Sequence, residues 1–527
     1  MTSIFQDTLF GVCARFVTRG KVLGWQENHD EDLRLRYIYG DEKRSSTSSD
    51  ELEKGQDHRL IEFLENDPQD PQNWSLRKKI FVTFNICLLT FSIYIGSAIY
   101  TSGLMGITQT FGISQTVAIL GLTLYVLGYG LGPMIWSPIS EIPYFGRSPI
   151  YLGTLFVFVF FNFGVVYAQN LGMLLAFRFL TGFFGSPVLA TGGASLADMY
   201  TPNKRAYPFA FYGVANVMGP TVGPLIGGFA AQYKGWKWPI WELIWLSGFC
   251  WVFLFFFFPE TSAANILYRR AARLNKLQPQ DGPQLKCQAQ VEAEKMTPSE
   301  GMKMTFVRPF TLTLTEPIVF FLNLYIALVY AVLYCWLESI PIAFTEVHGF
   351  SLGITGLCYL GIAVGAVITV PPYCIYNYYF VEHRFNDKLE LKPEIRLESA
   401  LVGCFCLPIC LFFFGWTAKE NIHYIVPIIA TAFFSIGAFL SFSSVLNYLG
   451  DAYPDYIASI YAGNDLFRSA FGAGFPLFAN QMFTTLGLDW GNSLLGFISI
   501  IFIPIIYWLW WKGESIRKRS KRARHDL

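Results

Sequence analysis

The chain has 527 residues, of which 53% are hydrophobic and only 15% are charged, and its formal net charge is +1. A soluble globular domain carries roughly 25% charged residues, so this composition argues against a soluble protein and indicates an integral membrane protein. A net charge close to zero offers no overall field for nucleic acid, and we expect no nucleic-acid partner.

The first 79 residues carry many of the charges. Within them, the stretch "GDEKRSSTSSDELEKGQDHRL" is polar and nearly free of large apolar residues, which is typical of disordered segments. The earlier apolar stretch "SIFQDTLFGVCARFV" is too short and too polar for a cleavable signal peptide, so we expect none. Residues 1–79 are therefore predicted to form a cytosolic and largely disordered N-terminal segment.

Twelve apolar windows follow, each close to the 20 or so residues that one membrane crossing requires. They lie at 80–101, 115–137, 148–168, 170–197, 206–230, 240–259, 316–338, 353–379, 397–416, 424–446, 457–483 and 491–512. The sequence thus predicts an all-α integral membrane protein with twelve transmembrane helices in two six-helix halves, at 80–259 and 316–512. A cytosolic linker (260–315) joins the halves, and a basic cytosolic tail (513–527) ends the chain.

Lysine and arginine residues are unevenly distributed among the loops between these windows. Eight of them lie between Arg269 and Arg308, and further groups fall on the same predicted side: Arg147, Lys204, Arg205, Arg384, Lys388, Lys392, Arg396 and the tail. The other side carries little beyond Lys234, Lys237 and Lys419. Because cytosolic loops are enriched in these residues, both termini are predicted to be cytosolic.

Arg178 lies in the fourth window, within "LLAFRFLTGFFGSP", roughly 12 Å from the window's start at 1.5 Å per residue. Ionisable groups inside a bilayer are costly and usually functional, so a role in a polar cavity is one interpretation. Structural pairing with a carbonyl or a carboxylate is the other. Arginine stays protonated, so Arg178 can hold a negative charge but cannot carry the transported proton.

The stretch "GVANVMGPTVGPLIGGFA" in the fifth window is rich in helix breakers, and its glycines and prolines are Gly213, Gly219, Pro220, Gly223, Pro224, Gly227 and Gly228. Three of the glycines recur every four residues and form a smooth helix face of the small-xxx-small type. The prolines add a bend that neighbouring helices can accommodate. We expect this face to press against the eighth span, in the other half; a packing seam without a role in coupling is the alternative.

Aromatic and amide side chains could line a substrate cavity, because drug-sized molecules bind in apolar pockets that hold a few polar groups. Lipid-facing packing is the alternative for any one of them. The candidates are Asn323, Tyr325, Tyr330, Tyr334 and Trp336 in "FFLNLYIALVYAVLYCWLESIP", Asn447 and Tyr448 at the end of the tenth window, and Arg468.

Two acids are candidates for a transported proton. Asp198 ends the fourth window and could carry a proton or pair with Arg147 or Arg205. Asp465 and Arg468 lie three residues apart and share one face of the eleventh helix, as expected for a functional cavity or for a structural ion pair. Three other acids near the ends of windows are interpreted as interfacial or helix-terminal: Glu242, Glu316 and Glu338.

Motifs of other chemistries are absent from the sequence. The ten cysteines show no CxxC or Cys/His spacing, so we expect neither disulfides nor a metal site. Neither GxxxxGK[ST] nor HExxH occurs, which argues against an ATP-driven pump and a metalloprotease. We expect a monomer, not an enzyme, that needs no cofactor other than protons as the coupling ion.

Several stretches together resemble the major facilitator superfamily, and within it the fungal twelve-span drug:proton antiporters of the Mdr/Flr type. They include "GLGPMIWSPISEIPYFGRSPIYL", "LLAFRFLTGFFGSP", the glycine-rich stretch, "FFFPETSAANILYRRAARL" and "FRSAFGAGFPLFANQMFTTLG". The first resembles the family's signature loop, whose matching positions are Gly132, Glu141, Gly146 and Arg147. It carries Glu141 where the superfamily often has aspartate, and the first span lacks an acid.

The resemblance implies a proton-driven exporter of small apolar or amphipathic compounds such as antifungals, located in the plasma membrane. By the same resemblance, Arg178 and Asp198 are needed for coupling, the signature loop latches the inner gate, and the glycine-rich stretch is the antiporter motif. Within the mechanism, Asp198 or Asp465 exchanges its proton for substrate. The alternatives are an exporter dedicated to a secondary metabolite or toxin, an uptake symporter and a non-transporting membrane receptor.

Overall fold

The computed structural model describes residues 5–19, 21–28, 30–39, 58–277, 284–295 and 297–526, and most of them are helical. In this part of the chain, eleven helices are long and apolar enough to cross a membrane, and one further helix, Ile457–Gly474, precedes the last of them. The long helices, numbered in chain order, are α1 (Leu76–Phe111), α2 (Gln115–Glu141), α3 (Ser148–Val166), α4 (Leu171–Met199), α5 (Ala206–Lys234), α6 (Trp238–Phe257), α7 (Pro317–Val347), α8 (Leu352–Arg384), α9 (Pro393–Thr417), α10 (Ile425–Ala452), α11 (Ile457–Gly474) and α12 (Pro476–Arg517).

The last two helices do not match the last two predicted spans residue for residue. Within α12, Gly487 leaves the helical conformation with φ of +80°. The residues after Gly487 lie against Gly415 at the end of α9, whereas Arg517 meets Glu394 at the start of α9. The chain therefore reverses direction at Gly487, as the predicted spans 457–483 and 491–512 require. The count of twelve spans stays a prediction.

The helix packing repeats after six helices. In the first half α1 packs on α5, α2 on α4, α3 on α4 and α3 on α6; in the second half α7 packs on α11, α8 on α10, α9 on α10 and α9 on α12. The halves meet through α2 with α11 and through α5 with α8, which are equivalent contacts under exchange of the halves. This is the arrangement of transporters built from two repeated halves.

Local sequence explains where several of these helices begin. The Ser75, Ser114 and Asn170 side chains accept hydrogen bonds from backbone N–H groups at the starts of α1, α2 and α4. Such N-caps satisfy donors that the first helical turn leaves free. Within the helices the backbone groups bond to one another, which a bilayer core without water requires.

The N-terminal segment and the linker form a small unit at one end of the bundle. We call this end of the bundle the linker face. Strands β1 (His58–Leu60) and β2 (Gln284–Lys286) pair in parallel there. An ion pair of 2.5 Å joins Asp67 to Arg270 of the helix Ala263–Leu277, and both side chains are fully buried. Tyr37, Ile38 and Ile61 of the N-terminal segment are buried in this unit. The predicted disorder of residues 1–79 stays a prediction, and residues 40–57 lie outside the described residues.

Candidate functional site

Polar side chains from both halves meet where α1 and α2 face α7 and α11. We call Tyr94, Ser97, Tyr129, Tyr330, Tyr334, Asp465 and Arg468 the central cluster. All except Tyr330, which is half-buried, are at most 3% exposed. Buried polar groups are costly unless they are hydrogen-bonded, so a cluster of this kind between two otherwise apolar halves marks a site.

Asp465 and Arg468 form the charged centre of this cluster. Arg468 Nε donates to Asp465 Oδ1 at 2.8 Å, and Arg468 also donates across the interface to the Tyr94 hydroxyl at 3.0 Å. Asp465 Oδ2 is buried and has no hydrogen-bond partner among the described residues. The arginine is thus shared between a carboxylate of its own half and a hydroxyl of the other half, while one carboxylate oxygen is free to accept a proton or a ligand donor.

Three tyrosine hydroxyls extend the cluster between the halves. Tyr129 of α2 lies 3.0 Å from the Tyr330 hydroxyl and 2.8 Å from the Tyr334 hydroxyl of α7. Tyr334 in turn donates to Ser97 of α1 at 2.9 Å. Tyr330 and Tyr334 share one face of α7 because they are four residues apart.

The other predicted cavity residues lie elsewhere in the second half. Tyr325 bonds Ser441, and the Trp336 indole donates to Asn492. Asn323 bonds Thr313 and Asn464, and Asn447 bonds Ser443 of its own helix. Tyr448 is buried beside Gly513, near the linker face. A helix turns by about 100° per residue, so only some of α7 can face the first half.

Separate contacts close the halves on either side of the central cluster. At the end away from the linker, Gln115 of α2 donates to Glu338 of α7 at 3.1 Å. At the linker face, Glu382 of α8 pairs with Lys204 at 2.6 Å and accepts a hydrogen bond from Tyr207. The two halves are thus in contact at both ends, and opening either end requires the contacts at that end to separate.

Arg178 is held by carbonyls and aromatic rings. Its guanidinium donates to the backbone oxygens of Gly96 and Gly121, each at 3.0 Å, and lies 4.5 and 4.3 Å from the ring centroids of Tyr100 and Tyr125. The side chain is fully buried. The pairing with carbonyls ties α4 to α1 and α2, whereas Arg178 Nη2 is buried without a hydrogen-bond partner among the described residues. Both interpretations of Arg178 therefore stay open.

The three residues predicted for proton coupling are not brought together. Arg178 meets carbonyls, whereas Asp198 pairs with Arg147 at 2.8 Å and Asp465 pairs with Arg468. Burial works against the charged form of Arg147, but Asp198 and the neighbouring groups raise its pKa above the ordinary value. Arg178 is nevertheless connected to the central cluster by ring contacts. It lies over the Tyr125 ring, and that ring packs edge-on against Tyr129 of the central cluster with 5.9 Å between the centroids.

The signature loop between α2 and α3 is fastened to its own half by Glu260. This buried carboxylate follows α6 and accepts the backbone N–H groups of Arg147 and Ser148, at 3.1 and 3.2 Å, and of two residues after it, Thr261 and Ser262. Gly146 has φ of +74°, and a Cβ there would lie 2.6 Å from Glu260 Oε2. Glycine is therefore required both by the backbone and by the space.

The remaining two loop positions behave differently. Glu141 is the last residue of α2 and is exposed. Gly132 lies within α2, and a Cβ there would come within 2.6 Å of the Phe183 carbonyl of α4. Gly132 thus permits a close helix crossing inside the first half. The inter-half contacts at the linker face include Lys204, Tyr207 and Glu382, and the latch role of the signature loop stays a prediction.

Replacing Glu260 by glutamine should loosen the loop. The amide offers one acceptor oxygen where the carboxylate offers two, so we expect a loss of about 1.5–3 kcal/mol in stability, the usual contribution of a hydrogen bond to a charged group. Thermal unfolding of the purified protein measures the change. The exposed Glu292→Gln variant is the control, and equal melting temperatures for the two variants would contradict the assigned role of Glu260.

The smooth glycine face of α5 packs on α1, which corrects the expectation that it presses on the eighth span. A Cβ at Gly223 would lie 2.8 Å from the Ile99 nitrogen, and one at Gly227 would lie 2.9 Å from the Ile99 oxygen. Gly219 likewise abuts Tyr94. The glycines therefore bring α1 and α5 of one half together, because the backbones approach too closely for a side chain.

A neighbouring face of α5 makes the contact with α8. A Cβ at Gly228 would lie 2.6 Å from the Leu352 oxygen, and one at Gly356 of α8 would lie 2.6 Å from the Pro224 oxygen. Gly213 faces Phe439 of α10. Pro220 is buried within α5 as well. One glycine-rich helix thus serves both an intra-half and an inter-half contact.

Leucine substitutions can separate these two contacts. Gly223→Leu should reduce the yield of folded protein, since overpacking within a half costs about 1–3 kcal/mol or more. Gly228→Leu should leave each half folded but hold the α5 and α8 ends apart, lowering transport at least about tenfold if closure there costs 1.4 kcal/mol or more. The yield of protein in size-exclusion chromatography measures folding, and substrate flux measures transport. Gly248→Leu, where the Cβ position is open, is the control, and identical behaviour of the first two variants would contradict the assignment.

Sequence reasoning missed several residues of this site. Tyr94, Ser97 and Tyr129 lie in apolar spans, where single hydroxyl residues give no distinctive signal. Glu260 could have been found, because an acid directly after the apolar run of α6 is conspicuous in "FFFPETSAANILYRRAARL". Glu382 had only the signal of an acid among the basic residues after the eighth window.

Two similarly packed helical halves that meet at a buried charged cluster, with contacts on either side of it, define a membrane transporter. The model of the Major Facilitator Superfamily matches residues 86–476, and the chain belongs to this family. It is a multi-pass membrane protein of the transporter class.

Similar proteins extend over most of the chain. Transporter mfs1 of Schizosaccharomyces pombe is 44% identical over 465 residues, 87% of each chain. Fluconazole resistance protein 1 of Saccharomyces cerevisiae is 39% identical over 484 residues, covering 90% of this chain and 87% of its own. Multidrug transporter FLR2 of Candida glabrata is 39% identical over 491 residues, covering 92% of this chain and 82% of its own.

One solved structure shares the fold. The human organic anion transporter MFSD10 (TETRAN) superposes with a TM-score of 0.53 and 15% sequence identity, covering 83% of this chain and 99% of that one. At this identity the likeness concerns the fold alone.

Proposed function

We propose that this protein is a proton-coupled exporter that moves small apolar or amphipathic compounds, including antifungal drugs, out of the cell by alternating access. The observation that carries the proposal is the Asp465–Arg468 pair, buried where the two halves meet, with one carboxylate oxygen free. The relatives named for fluconazole resistance and multidrug transport support the substrate class.

Competition for Arg468 supplies the coupling. While Asp465 is ionised it holds Arg468; a proton on Asp465 removes that attraction and leaves Arg468 to Tyr94 of the other half. A substrate that contacts the tyrosine hydroxyls competes for the same space. Proton and substrate thus exclude one another at a place where both halves take part, which is the requirement for exchange.

The driving force is sufficient without ATP. One proton entering the cell releases about 2.3 kcal/mol per 100 mV and about 1.36 kcal/mol per pH unit. Asp198 is a weaker candidate for the carrier, because its pair with Arg147 lies within the first half, whereas Arg468, the partner of Asp465, also donates to Tyr94 of the other half. The protein needs no cofactor beyond protons.

The proposal places the protein in the plasma membrane as a monomer with both termini in the cytosol. The concentration of lysine and arginine on the linker face, including the 269–308 region and the tail, supports the cytosolic placement of both termini. The protein's partners are then small-molecule substrates and the bilayer.

The test is to express the protein in yeast that lacks its own exporters and to follow a fluorescent drug. We expect efflux that a protonophore abolishes. Efflux that survives the protonophore would overturn proton coupling, and net accumulation would indicate an uptake symporter. Export of one metabolite class but of no drug would favour a dedicated exporter, and no movement of any tested compound would favour a receptor.

A further inference from the structure

The structure holds an amphipathic helix, Leu9–Val17, beside the end of α6. We propose that this helix is an interfacial anchor whose outer face lies in the bilayer surface at the linker face. The inference does not depend on the direction of transport or on proton coupling.

Backbone contacts fix this helix beside α6. Thr8 caps its start by accepting the Gly11 N–H at 3.1 Å and forms an antiparallel bridge with Pro259. The Glu260 N–H donates to the Asp7 oxygen at 3.1 Å. The helix therefore begins at the residues that follow α6, at the level where the membrane-spanning segment ends.

The inner face of the helix is tied to the protein. The Phe10 ring lies 5.1 Å from the Phe256 ring of α6. Arg15 donates to the Gln6 oxygen at 2.6 Å and lies 4.6 Å from the Trp25 ring. The one basic side chain within the helix thus points toward the protein.

The outer face is apolar and has no protein partner among the described residues. Phe16 and Val17 are 86% and 79% exposed, Val12 is 38% exposed, and Cys13 is exposed beside them. These residues are spaced i, i+1, i+4 and i+5, so they form one stripe along the helix. Water is an unfavourable solvent for such a stripe.

Continuity with the lipid-facing surface identifies the occupant as lipid. Phe249, Val252 and Phe256 of α6 are 60%, 49% and 36% exposed on a helix long and apolar enough to cross a membrane. Phe10 lies three residues before Cys13 and borders the stripe, so its contact with Phe256 places the stripe next to this surface. Exposed Arg19 and Lys21 follow the helix and suit anionic headgroups.

Cys13 allows a direct test in the intact chain. All ten cysteines lie in the described part of the chain and are unpaired, and Cys13 alone is exposed. A nitroxide on Cys13 is examined with the protein in nanodiscs of phosphatidylcholine and phosphatidylserine, one copy per disc. We expect its oxygen-to-nickel collision ratio to be several-fold higher than that of a Lys21→Cys label in a Cys13→Ser background.

Substitutions in the stripe are compared with one substitution outside it. Phe16→Asp and Val17→Asp should lower the Cys13 ratio toward the aqueous value, whereas Leu35→Asp, which changes an exposed apolar residue on the separate helix Glu31–Tyr39, should not. Equal ratios at positions 13 and 21 would overturn the anchor. Shielding of Cys13 from both reagents only with two copies per disc would assign the stripe to a self-interface and overturn it as well.

Discussion

Replacing Arg178 by alanine should abolish transport and also destabilise the first half. The change removes a fully buried side chain that joins α4 to carbonyls of α1 and α2 and that stacks on Tyr100 and Tyr125. Large-to-small changes in packed interiors cost about 2–5 kcal/mol. Thermal unfolding of the purified protein and drug efflux measure the two effects.

Arg178→Lys separates charge from shape. Lysine keeps the positive charge but cannot present a planar group to two rings and two carbonyls, so we expect stability between those of the wild type and the alanine variant. Arg205→Ala is the control, since Arg205 donates to the Ala197 and Tyr200 carbonyls at the end of α4 and is less buried. An alanine variant at position 178 that unfolds like the wild type but does not transport would place Arg178 in the coupling cycle instead of the scaffold.

Neutralising Asp465 should eliminate proton-driven efflux. Asp465→Asn keeps the volume but leaves Arg468 buried without a charged partner, which costs about 3–5 kcal/mol when a buried pair is broken. Loss of transport in this variant alone could therefore reflect loss of the fold. The double variant Asp465→Asn/Arg468→Gln removes both charges, and we expect it to recover most of the stability.

Transport by the double variant then decides the role of the pair. We expect no accumulation against a gradient at any external pH, while substrate exchange at equal concentrations persists. The control is Asp489→Asn, which changes a partly exposed acid 3.7 Å from Lys419. Protonophore-sensitive efflux at the wild-type rate by the double variant would show that the proton is carried elsewhere.

Individual residues show how far local patterns reach. The burial of Arg178, the shared helix face of Asp465 and Arg468 and the close packing of the α5 glycines follow from spacing and composition, which act along the chain. The partners of these residues do not follow from spacing or composition. The glycine face of α5 meets α1 instead of α8, and Tyr325 and Trp336 turn into the second half, because helix rotation is set by packing among several neighbours.

By itself, the sequence determined the class of this protein: apolar windows of membrane length, a polar linker after six of them, and charged residues where a bilayer makes them costly. Only the tertiary structure decided which groups meet. Tyr94 and Arg468 are 374 residues apart, and Glu260 accepts the N–H of Arg147 across 113 residues. Hydropathy is a local property that one segment carries alone, whereas a buried hydrogen bond needs two groups whose approach depends on how all the intervening helices pack.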